Sequence, residues 1–150
     1  MNPSKAQIGR AGEFLVQQKL LLHGIESAPL TTDCGVDLVV FSPISGNAIT
    51  IQVKSNLVPK PGGGKGKPIL DWWVPDDSPA DIFAFVDLGT SRVWLVKKSE
   101  LPQVAQQHPE GRHHFFMATD PTASSRRDGK SLHDYEFQKY LLENIVHTLI

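Results

Sequence analysis

The chain has 150 residues, 40% of them apolar and 21% charged, with a formal net charge of −1. This length suits one domain with a full core, and the near-neutral balance argues against a protein that coats nucleic acid nonspecifically. No apolar run is long enough for a membrane span, residues 1–7 lack an apolar signal core, and a single cysteine, Cys34, excludes a disulfide framework or a Cys-rich zinc site; a cytoplasmic protein is expected.

The first predicted element is a helix over 4–23. Ser4 supplies an N-cap with Gln7 as its capping-box partner, and Gly24 sits at C′. Ile8, Ala11, Leu15 and Leu22 recur at helical spacing, flanked by Phe14 and Leu21. Arg10, Glu13 and Gln17 share the other side. Gly9 and Gly12 weaken the helix by about 1 kcal/mol each relative to alanine. They either relieve packing on a sheet or admit a ligand.

A weak strand follows over 25–30, then strong strands over 35–41 and 48–54 separated by the turn-forming 42–47. Side chains alternate along a strand, so Gln52 and Lys54 point to one face. A hairpin of these two strands can bring Asp37 beside them. Residues 59–68, with three prolines, four glycines and three lysines, read as a mobile basic loop without Walker spacing. A strand over 69–74 carries Trp72 and Trp73 on opposite faces, one for the core and one for the rim. Strands over 81–88 and 92–97 form a hairpin across 89–91. Ser99 can cap a short helix reaching about residue 107, and 113–118 can form a last, irregular strand. Residues 120–130 are polar and turn-rich. Ser131, with Asp134 three residues on, is expected to open a C-terminal helix with a broad apolar face.

Helices at both ends and several hairpins imply an α/β fold, a central mixed β-sheet flanked by helices. A single domain is expected, with its core over about 4–107 and the C-terminal helix over about 131–149. The six histidines show no metal-ligand spacing: His113 and His114 are adjacent, hence on opposite faces of a strand, and are read as surface or core. Cys34 has no paired base and is read as structural.

Three strings carry a family resemblance: Gly9-Arg10-Ala11-Gly12-Glu13 on the first helix, Gly35-Val36-Asp37 entering a strand, and Ile51-Gln52-Val53-Lys54 on the next. In order and placement they resemble the core blocks of the PD-(D/E)xK nuclease superfamily, the restriction-endonuclease-like fold. That superfamily includes Holliday-junction resolvases and a group I intron homing endonuclease with a similar Gln-x-Lys variant. The departure is Gln52, where the family usually has an acid. The resemblance implies a metal-dependent DNA endonuclease hydrolysing phosphodiester bonds. Its catalytic residues would be Glu13, Asp37, Gln52 and Lys54. Mg²⁺, or Mn²⁺ as a substitute, would be held by Asp37, Gln52, the Val53 backbone carbonyl and Glu13, the last through water. DNA contacts are expected from Arg10, Lys60, Lys65, Lys67, Arg126, Arg127 and Lys130. The same resemblance leaves a DNA-binding module with lost or weak chemistry as the alternative, and implies a homodimer or higher oligomer.

Overall fold

The computed structural model describes residues 1–124 and 126–150, and of Arg126 and Arg127 the backbone alone. Among the described residues the strands form a five-stranded sheet, a three-stranded sheet and a two-stranded ribbon. The larger sheet has the order β1-β2-β3-β6-β7, built from Ser27–Pro29 (β1), Leu38–Phe41 (β2), Ala48–Asn56 (β3), Ile82–Asp87 (β6) and Arg92–Lys97 (β7). β3 and β6 pair in parallel and the other neighbours pair antiparallel, so the fold is α/β with a central mixed sheet. All six residues of β6 are buried, as suits a strand covered on both faces.

The helix Lys5–Leu22 (α1) starts where Ser4 and Gln7 form the expected capping box, and Gly24 follows with φ +77°. It packs on one face of the sheet, but along a different stripe from the one predicted. Gly12, Val16 and Leu20 are buried, whereas Phe14, Leu21 and Leu22 are exposed. The reason is Gly12. A Cβ there would fall 1.8 Å from Ser55 Oγ and 2.9 Å from Ser55 Cβ, so the helix approaches β3 through its glycine. Val16 and Leu20 then join Leu38, Val40, Ile51, Ala84 and Leu95 in one core layer.

The opposite face is covered by a second sheet that the sequence reading did not anticipate. It comprises Lys60–Pro61 (β4), Pro68–Pro75 (β5) and Arg112–Ala118 (β8), in the order β4-β5-β8. Far from irregular, β8 pairs with β5 over seven residues, from Ile69↔Ala118 to Pro75↔Arg112. Leu70, Trp72, Val74, Phe115 and Met117 face Phe83, Phe85, Trp94 and Val96 of the central sheet. Trp72 is buried and Trp73 is at the rim, as alternation requires.

Two further expectations are corrected. Residues 59–68 are not a structureless loop: β4 pairs with β5, and a 3₁₀ turn over Gly62–Gly64 joins them. The C-terminal segment is not one helix from Ser131. A 3₁₀ stretch, Asp134–Tyr140, is boxed by His133 and Glu136, and Leu141 is extended (φ −54°, ψ 135°). The helix Leu142–Leu149 (α3) follows. Its apolar face, Leu142 and Val146, fills the core beside α1 rather than standing open as an interface. A one-turn helix, Leu101–Val104 (α2), starts after Glu100 rather than Ser99. The ribbon joins Arg126–Arg127 (β9) to Lys130–Ser131 (β10). No helix among the described residues is long and apolar enough to cross a membrane.

Candidate active site

The site begins at a glycine. Gly35 has φ +80°, and a Cβ there would lie 2.9 Å from Pro79 Cδ, so backbone conformation and space both require glycine. It delivers Asp37 to the mouth of β2. There the Asp37 N–H donates to the Ile51 carbonyl (2.9 Å) and the Asp37 carbonyl accepts from the Leu30 N–H (3.0 Å). The paired residues Leu38 and Ile51 set the register. One step before this pair the chain is no longer in regular register, and the Asp37 side chain reaches β3 at Val53, between Gln52 and Lys54.

The Asp37 carboxylate accepts a hydrogen bond from the Val53 N–H at 2.6 Å. Alternation sends the Val53 N–H and C=O to the same edge of β3, where β2 has ended, so the carbonyl faces the Asp37 side without a strand partner. Burial pushes the Asp37 carboxyl above its ordinary pKa. The Val53 N–H opposes that shift, Glu13 adds to it, Lys54 opposes it, and Asp33 adds to it.

Gln52 is 8% exposed, and its Oε1 accepts from the Ser78 hydroxyl at 3.0 Å. Ser78 is itself buried, and its carbonyl accepts from the Lys98 ammonium. This support was missed in the sequence, where 76–79 reads as an ordinary turn. Lys54 makes no hydrogen bond or ion pair among the described residues, although its charge acts on Asp37. Glu13, half-buried on α1, pairs with Arg10. It reaches Asp37 electrostatically rather than by contact.

The expected DNA-binding cations separate. Arg10 is held by Glu13 and lies over the Phe14 ring. Lys67 is occupied by Asp120 and Thr122, and Lys130 donates to the carbonyls of Pro102 and Ala105. Lys60 and Lys65 are exposed and have no side-chain partner among the described residues. The side chains of Arg126 and Arg127 lie outside the described residues.

No family model and no curated protein matches this sequence. The fold does have a solved counterpart. It resembles that of a bacterial homing endonuclease, I-Ssp6803I. The TM-score is 0.63 over 97% of this chain and 95% of that one, at 10% sequence identity. At that identity the likeness concerns the arrangement of the backbone, and the chemistry has to be argued from the side chains of this chain.

Proposed function

We propose that the protein is a metal-dependent DNA endonuclease of the PD-(D/E)xK type. The observation that carries this reading is the group at the open end of the β2–β3 pair, where the Asp37 carboxylate bonds to Val53 between Gln52 and Lys54 and feels the charges of Lys54 and Glu13. The fold likeness to a homing endonuclease supports it.

The donors suit a hard divalent cation. Asp37 offers the oxygen not used by Val53, Gln52 and the Val53 carbonyl offer neutral oxygens, and Glu13, whose charge acts on Asp37, would act through water. The Asp37 pKa is raised first by burial and also by the neighbouring acids, and a bound cation would favour the carboxylate form. Bound there, Mg²⁺ or Mn²⁺ would polarise the scissile phosphate and acidify a water. Lys54, with no hydrogen-bond or ion-pair partner among the described residues, is available to orient that water or to stabilise the charge developing on the phosphate. Arg10 holds Glu13 in place from the next turn of α1. Ser78 fixes the Gln52 amide so that its carbonyl stays on the site side. Lys60 and Lys65 supply phosphate contacts that position the duplex. One such site cuts one strand, so the reading includes a homodimer or higher oligomer, which sedimentation at working concentration checks.

Incubation with plasmid, linear and branched DNA tests the proposal. Cleavage should require Mg²⁺ or Mn²⁺, stop with EDTA, and fall at least about 100-fold in Asp37→Ala and Lys54→Ala proteins of unchanged circular dichroism. Full-strength cleavage in either variant overturns the assignment. A second reading, a DNA-binding module without chemistry, is favoured by one feature. Position 52 is a neutral amide whose oxygen is already engaged by Ser78. Salt-sensitive DNA binding with no cleavage under either metal would select it.

A further inference from the structure

We propose that Asp76, His108 and His113 form a second metal site, for a divalent transition-metal ion such as Zn²⁺, with the remaining position open to water. The three residues come from separate segments. Asp76 follows β5, and its N–H donates to the Gly111 carbonyl at 3.0 Å. His113 lies on β8 opposite Val74. His108 precedes β8 and is held against it by the reciprocal backbone bonds between Gln107 and His114, at 3.3 and 2.9 Å.

Their donor atoms converge. His108 Nε2 is 2.9 Å from Asp76 Oδ1, and His113 Nε2 is 3.2 Å from the same oxygen. All three donor atoms lie within 4.8 Å of one another. Zinc bonds of about 2.0–2.1 Å set tetrahedral donors about 3.3 Å apart, close to these separations, and an ion is taken up when the exposed His108 ring turns out of its stack on His113 to aim its lone pair at the same centre. The imidazoles stack, with centroids 4.1 Å apart and 11° between planes. His108 and Asp76 are exposed and can adjust, while His113 is nearly enclosed and fixed on its strand. Among the described residues the Nδ1 of His113 is buried without a partner, and Nε2 is the nitrogen that faces Asp76. Two imidazoles and a carboxylate suit zinc, copper or nickel and discriminate against Mg²⁺, which prefers oxygen donors. This site is distinct in chemistry from the one at Asp37 and stands whether or not the chain cuts DNA.

Zn²⁺ titration of the full chain by calorimetry tests it, with Co²⁺ absorption as a report on the coordination sphere. One tight Zn²⁺ per chain is expected, undisturbed by excess Mg²⁺. His108→Ala, an exposed position that leaves the fold intact, should weaken binding about tenfold or more and alter the cobalt spectrum. His147→Ala is the control, because His23 and His147 form a separate ring pair at 5.3 Å. It should change nothing. Absence of Zn²⁺ binding, unchanged affinity in His108→Ala, or equal loss in His147→Ala would each overturn the proposal.

Discussion

The same substitution three residues apart on α1 should act with opposite signs. Gly9 has nothing within 4 Å of where a Cβ would be, so Gly9→Ala gains only helix propensity, about 1 kcal/mol. Gly12→Ala gains the same but drives its methyl to 1.8 Å from Ser55 Oγ, 2.9 Å from Ser55 Cβ and 3.6 Å from Val53 Cγ1. The hydroxyl can rotate away, but the Cβ cannot, so α1 must retreat from β3. Overpacking of this kind costs about 1–3 kcal/mol, which leaves a net loss of up to about 2 kcal/mol after the propensity gain. Urea unfolding followed by tryptophan fluorescence measures both variants. Ser55→Gly added to Gly12→Ala should show a favourable coupling, since it removes both clashing atoms. Glu13 follows Gly12, so the retreat of α1 also withdraws Glu13 from Asp37, and Gly12→Ala should lose metal-dependent cleavage beyond its loss of stability. A Gly12→Ala protein as stable as Gly9→Ala would refute the close approach on which the placement of Glu13 depends.

Gly35→Ala imposes a left-handed residue with a Cβ and a contact with Pro79, and should cost about 1–2 kcal/mol and lower cleavage more than unfolding explains, as read by urea melts beside nuclease assays. Trp72→Ala should lose about 3–5 kcal/mol, because the ring packs on Phe85, Trp94 and Phe115. Trp73→Ala removes a rim contact between His114 and Arg112 and should lose about 1 kcal/mol in the same melts. The Asp120 carboxyl is held below its ordinary pKa, first by the Thr122 hydroxyl and then by the Thr122 N–H. Its folded pKa is lower than its unfolded one, so it contributes stability above the unfolded value, and that contribution disappears as pH falls through the folded one. Thr122→Ala should raise the Asp120 pKa in an NMR titration and shrink the difference in melting temperature between neutral and acid pH.

Local signals in the sequence were enough for α1 and for the β2–β3 pair. The capping box, the C′ glycine and the turn formers at 42–47 each act within a few residues. The shared face of Gln52 and Lys54 follows from alternation, and the pairing of β2 with β3 brings the Asp37 carboxylate to Val53 between them. The face of α1 was not legible from apolar spacing, because its closest contact is made by Gly12, which no hydropathy pattern marks. The second sheet depends on β5 pairing with β8 some forty residues away, and neither strand carries a sign of its partner. The Asp76, His108 and His113 cluster exists only through that pairing. The C-terminal apolar pattern runs on through Leu141, but that residue leaves the helix to bridge Trp94, so one periodic stretch became two elements.

Gln52 now has a physical rationale. Position 52 is almost completely buried, and Asp37, bonded to the neighbouring Val53, is already disfavoured as an anion by burial, Glu13 and Asp33. A carboxylate at 52 would add another desolvated negative charge to that group, with Lys54 the one cation acting on Asp37 among the described residues. An amide keeps an oxygen at the same place and takes its hydrogen bond from Ser78 without adding charge. Gln52→Glu should therefore destabilise the metal-free protein, and added Mg²⁺ should restore more stability to it than to the parent chain, because the ion supplies the missing positive charge. Melting temperatures with and without Mg²⁺ decide the matter. If Gln52→Glu melts at the parent temperature in EDTA and Mg²⁺ stabilises both proteins equally, charge crowding around Asp37 is not the reason for the amide.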